Sequence, residues 1–132
     1  MVTYNGTISS CTKLFRVGPN TVVAVCGWAR HIAPLIEWVR AKFPDGHPAI
    51  DIVEDMEHGS MLIVADEDGC RQYSSRYPRW IEDPYDAWGS GMDFALGAMH
   101  AGADARRAIE IATELDTGTG RGIDAVDVRV RA

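Results

Sequence analysis

The run Thr21-Val22-Val23-Ala24-Val25-Cys26 constrains this chain more than any other stretch. It is dominated by β-branched residues and shows no polar alternation. Such a run reads as a strand buried on both faces, so the fold must cover both sides of a sheet. Met61-Leu62-Ile63-Val64-Ala65 is a second run of the same kind. A regular β-α alternation is missing around both, so the sheets are expected to be mostly antiparallel, with helices outside.

The remaining elements follow from local signals. Asn5-Gly6, between Thr3-Tyr4 and Thr7-Ile8, predicts a hairpin. Residues 8–10 and 13–17 read as short strands, and Gly18-Pro19-Asn20 as a turn. A helix is expected from about His31, with Ile32, Leu35, Ile36, Val39 and Phe43 as its apolar stripe and Pro44-Asp45-Gly46 as its stop. Residues 47–59 read as loop. Asp66-Glu67-Asp68-Gly69 is a tight turn into a returning strand over 70–74, and residues 80–87 read as irregular. After Gly89-Ser90-Gly91 comes a helix with Phe94, Ala95, Ala98 and Met99 inward, closed by Gly102. A second helix runs from about Asp104 to Leu115 with Ala105, Ala108, Ile109, Ala112 and Leu115 inward, and a last strand covers 123–130.

Composition removes several functions. The chain has 132 residues and 46% apolar content, which fits one globular domain over 1–132. The net charge of −6 and the absence of a basic cluster argue against a nucleic-acid partner. No run is long enough to span a membrane and no signal peptide is visible. Cys11, Cys26 and Cys70 form no C-x-x-C, and Cys26 is expected in the core; reduced thiols in a cytoplasmic protein are the reading. His31, His47, His58 and His100 lack metal-ligand spacing and read as surface or boundary residues, so neither metal nor cofactor is expected.

Three motifs stand against plainer readings. Gly118-x-Gly120-x-Gly122 follows a helix and precedes a strand, the reverse of a dinucleotide-binding loop. Gly89-Ser90-Gly91 has Trp88 where a nucleophile elbow needs its first glycine, so local pattern favours a turn with Ser90 as helix N-cap. Lys13 is either a solvated strand residue or a desolvated lysine suited to N-terminal-threonine chemistry.

Four stretches taken in order resemble proteasome β-subunits and related bacterial peptidase subunits, with a flavour of the short phage and prophage members. They are Lys13-Leu14-Phe15-Arg16-Val17-Gly18, the strand ending at Gly27, the segment Trp88-Gly89-Ser90-Gly91-Met92-Asp93-Phe94-Ala95-Leu96-Gly97-Ala98-Met99, and Asp116-Thr117-Gly118-Thr119-Gly120 through Ile123-Asp124. The third is the most specific; residues 44–59 match poorly. The resemblance implies an α+β fold: the four-layer αββα sandwich of two antiparallel sheets of the N-terminal-nucleophile (Ntn) hydrolases. It implies a threonine-type peptidase whose N-terminal threonine attacks the scissile carbonyl and whose own amine is the base. By position Lys13 matches the family's lysine and Gly27 the oxyanion-hole glycine. Ser90 matches the serine of the Gly-Ser-Gly turn, and Asp116 and Thr119 match the pair that orders the N-terminus.

Two departures accompany the resemblance. The family's opening strand, with its threonine and an aspartate before an Arg-Val-Thr, would precede Val2, so the nucleophile is expected to be absent from the chain as written. Residues 44–60 are too short and broken for the family's further long helix, so that helical layer is expected to be thinner. Thr3 is a poor substitute nucleophile because Val2 would precede it. Three functions follow as expectations: a peptidase subunit acting on peptide substrates, an inactive structural or assembly subunit of the same fold, or an unrelated small α+β binding module. Under the first two, a homo-oligomer, ring-type among the possibilities, would cover the strand edge that a missing neighbour exposes.

Overall fold

The structure is a computed structural model, and it describes residues 2–4, 7–9, 14–26, 31–43, 61–74, 77–116, 123 and 125–131. These group into two compact units, one of residues 1–11 with 82–125 and one of 12–81 with 126–132.

The second unit is built on a five-stranded antiparallel sheet. Its strands are β3 (Leu14–Gly18), β4 (Thr21–Cys26), β5 (Met61–Asp66), β6 (Gly69–Tyr73) and β7 (Pro78–Trp80), side by side in chain order. The β-branched run is the strand β4, flanked by β3 and β5. Val22 and Val23, which point to opposite faces, are both buried, as the two-sided reading requires. Helix α1 (Ile32–Arg40) covers one face. Its Leu35, Trp38 and Val39 pack on Val23, Val25, Leu62, Val64 and Tyr73. Register brings these sheet residues onto one face, since Val23 pairs with Val64, Val25 with Leu62, and Leu62 with Tyr73.

Helix α1 stops earlier than the sequence predicts. Phe43 is not on its stripe. The amides of Lys42 and Phe43 donate back to the carbonyls of Val39 and Trp38, a Schellman closure. Lys42 and Phe43 have φ of 63° and 57°. The turn folds the Phe43 ring back, 4.9 Å edge-on from Trp38 and stacked 5.3 Å from Tyr73. Pattern reading expects glycine at such a cap, and lysine hides it. The stop at residues 44–46 and the loop over 47–59 lie outside the described residues.

Arg71 is the buried charge of this unit. Val64 pairs with it, so it lies on the α1 side of the sheet. Its guanidinium donates to both carboxylate oxygens of Asp66, at 3.0 and 2.9 Å, and to the Tyr73 hydroxyl at 3.2 Å. The rings of Phe43, Tyr73 and Trp80 stand 5.1–5.9 Å from it, within cation–π range. Burial works against the Asp66 charge, but the Arg71 hydrogen bonds, the Asp68 amide and the charges of Arg71 and Arg131 outweigh it and hold the carboxyl below its ordinary value. Burial likewise opposes the Arg71 charge, and its bonds to Asp66 and Tyr73 raise it above the usual value.

Strand β7 and the segment 125–131 differ from expectation. Pro78 opens β7, a three-residue edge strand that the sequence reading does not anticipate, and proline is admitted at such an edge. Residues 125–131 form no strand. They run across the ends of two hairpins, where the Asn20 side chain donates to the Arg129 carbonyl and accepts from its amide. The alternating valines therefore find no sheet edge, and Val130 is 65% exposed.

The first unit holds β1 (Val2–Tyr4) paired antiparallel with β2 (Thr7–Ser9), as the Asn-Gly signal predicts, with Tyr4 opposite Thr7. It also holds a helix hairpin, α2 (Met92–His100) and α3 (Ala105–Leu115). Gly102, at φ 108°, closes α2 by a second Schellman turn, in which Ala103 donates to Ala98 and Gly102 to Met99. Asp104 caps α3 by accepting from the Arg107 amide at 2.8 Å. The helices meet through Ala95, Ala108 and Ala112, with Ala87, Ala98 and Met99 alongside. Ala105, Ile109 and Leu115, expected inward, are exposed, and so is Phe94. Alanine-to-alanine contact brings the helices too close for larger residues at the seam. The histidine reading also changes: His31 is buried.

Candidate active site

Ser90 and Asp116, which the sequence separates by 26 positions, are hydrogen-bonded. The Ser90 Oγ donates to Asp116 Oδ2 at 2.8 Å. Two local structures produce this. Gly89, at φ 107°, turns the chain in a conformation that residues with a Cβ rarely adopt. Its carbonyl accepts from the Met92 amide. Gly91, not Ser90, is then the N-cap of α2, and no side chain caps that end. The N-cap reading of Ser90 is thus corrected: its hydroxyl turns away from the helix amides towards a carboxylate. Asp116 sits at the other end of the hairpin. Its amide still donates to the Ala112 carbonyl, while its φ of −108° and ψ of 122° take the chain out of α3. Antiparallel packing of α2 on α3 places the start of one beside the end of the other.

The pair has simple chemistry. Ser90 is exposed and Asp116 partly so. With its proton committed to Asp116, the serine oxygen keeps lone pairs that can accept from a third group. The carboxylate beside the α2 N-terminus also benefits from the positive end of that helix dipole. At the far end of the hairpin the Tyr85 hydroxyl lies 2.8 Å from His100 Nδ1. Sequence reading missed this contact because an irregular segment supplies the tyrosine.

Lys13, Gly27 and Thr119 lie outside the described residues. Thr3 lies inside β1, opposite Ile8. Among the described residues no three His, Cys, Asp or Glu side chains gather as a metal-ligand set, and no helix is long and apolar enough to cross a membrane.

No protein-family model matches the sequence, and no curated protein does. Solved structures do. A eukaryotic HslV from Trypanosoma brucei matches at TM-score 0.67 and 26% identity, over 90% of this chain and 83% of that one. The BPH of Thiobacillus denitrificans, solved in complex with epoxomicin, matches at TM-score 0.59 and 23% identity, over 84% of this chain and 75% of that one. BPH without that ligand matches at TM-score 0.58 and 24% identity. The α+β architecture of an antiparallel five-stranded sheet and three helices among the described residues therefore matches the Ntn-hydrolase fold. Within that class, the chain is similar to HslV, a likeness that agrees with the proteasome β-subunit resemblance of its Gly-Ser-Gly segment.

Proposed function

We propose that this chain is a peptidase subunit of a proteasome-like assembly. In this reading the Ser90–Asp116 pair orders the amine of an N-terminal threonine nucleophile. The hydrogen bond between two residues far apart in sequence carries the proposal, because it joins the serine of the Gly-Ser-Gly turn to Asp116, which the resemblance gives a part in ordering the N-terminus. A serine oxygen whose proton is held by a carboxylate accepts from an N–H of the neutral amine, which leaves the amine lone pair to take the threonine hydroxyl proton, and it then steadies the ammonium that forms. Lys13, Gly27 and Thr119 complete the set in this reading, as electrostatic partner, oxyanion-hole backbone and second ordering residue. Peptides are the substrate class. A homo-oligomer in the cytoplasm fits the reading, and the exposed Met92, Phe94, Ile109 and Leu115 on α2 and α3 are apolar surface that such packing would cover.

The test uses the protein isolated from its natural source. Its N-terminal sequence and intact mass are measured with and without epoxomicin, the ligand of the similar BPH structure. A threonine start and a covalent adduct are expected, with a fall of about 10²-fold in peptide hydrolysis for Ser90→Ala. A different N-terminal residue, no adduct and a stable oligomer would reject the peptidase and leave the assembly subunit.

A further inference from the structure

The geometry points to a latch: residues 126–131 close as one unit over the ends of two hairpins and open without unfolding the sheet beneath. Two clasps hold the segment. At the first, the Asn20 side chain, in the turn between β3 and β4, donates to the Arg129 carbonyl at 2.7 Å and accepts from the Arg129 amide at 2.9 Å. One side chain thereby satisfies both backbone groups of one residue, as a partner strand would. The second clasp is the turn between β5 and β6. The Arg131 amide donates to the Glu67 carbonyl at 2.6 Å. The Arg131 guanidinium lies 2.7 Å from Glu67 Oε1 and 3.6 Å from Asp68 Oδ1.

The fastening is polar throughout. Val126 and Val130 are exposed and Val128 is half-buried, so no side chain of the segment is sealed in the core. Opening therefore exposes little apolar surface, which marks the low-stability end of a structure. The clasps differ in kind. That of Asn20 is neutral. That of Arg131 is an exposed ion pair that salt screens. A cleft of about 500 Å³ lies between the segment and the turns, lined by Arg16, Asn20, Glu67, Asp127 and Arg129 among others. Its wall of Asp127, Arg129 and Arg131 exists only while the latch is shut, so whatever occupies it holds the latch closed.

Amide hydrogen exchange by NMR on the full chain tests the latch, read at Arg129 and Arg131 with the amides of β4 and β5 as internal standard. In the wild-type protein both latch amides should be protected relative to a free peptide. Asn20→Asp keeps the turn chemistry and the acceptor but loses the donor. It should speed exchange about fivefold at both amides, as loss of one hydrogen bond implies. Arg131→Gln should also speed both. Added salt should speed both in the wild type and have no further effect in Arg131→Gln. The sheet amides should stay unchanged throughout. Free-peptide exchange in the wild type would overturn the proposal. So would an effect confined to the residue next to each substitution, or sheet amides that accelerate in step.

Discussion

Replacing Asp66 with asparagine should cost about 3 kcal/mol of folding stability. Arg71 is the reason. Its side chain is only 7% exposed, and Asp66, at 14%, is its sole anionic contact among the described residues. Removing one partner of a buried ion pair costs about 3–5 kcal/mol, because the survivor keeps its desolvation penalty. The low end applies here for two reasons. An asparagine oxygen can still accept one guanidinium bond, and the Tyr73 hydroxyl and three rings remain around the charge. Arg71→Met should cost less, about 1–2 kcal/mol, since it strands only the more exposed Asp66, which keeps the Asp68 amide. The double variant should then cost about 1.5 kcal/mol less than the two single changes added together. Urea unfolding at pH 7, followed by tryptophan fluorescence and by circular dichroism, measures all four proteins. A cost below about 1 kcal/mol for Asp66→Asn, or strict additivity, would refute the account of Arg71 as a buried charge held by one carboxylate.

The same pair sets an acid limit. The Asp66 carboxyl is held below its ordinary value in the folded protein. Its contribution is complete above the unfolded value of about 3.9 and is lost as pH falls through the lower folded value. Wild-type stability should therefore converge on that of Asp66→Asn below about pH 4, seen in urea midpoints taken across pH. Lys42→Gly should raise the urea midpoint by about 0.5–1 kcal/mol equivalent, since relief of a positive φ exceeds the added freedom of the unfolded glycine. Asp104→Ala should lose about 1 kcal/mol by uncapping α3, measured in the same way.

Strands β1 to β6, their hairpins and the helices α1, α2 and α3 were legible in the sequence because each carries a periodic or turn signal of its own. The misreadings have particular causes. Phe43 continued a helical period, but Lys42 entered the left-handed region and ended the helix first. Residues 123–130 alternated like a strand, yet Asn20 supplied the partner that a neighbouring strand would have given. Ile109 and Leu115 were placed inward on period alone, whereas the seam accepts only alanine. Arg71 gave no signal, since its burial depends on a carboxylate and rings from four elements or turns. At the candidate site local pattern pointed to an N-cap for Ser90. The resemblance singled out both Ser90 and Asp116 without pairing them, and the hairpin geometry that joins them is tertiary.

The alanine seam works as a ruler. Ala112 lies one turn before Asp116 and Ala95 one turn after Gly91, so the methyl groups between α2 and α3 set the gap across which Ser90 reaches its carboxylate. Residues that touch no substrate would then tune the reactive end. A valine at either position would pry the helices apart and lengthen the bond, while leaving each polar group chemically intact. Evolution can grade such a site by the width of a methyl group, and a search for activity-altering changes confined to polar residues would pass over the positions that fix its scale.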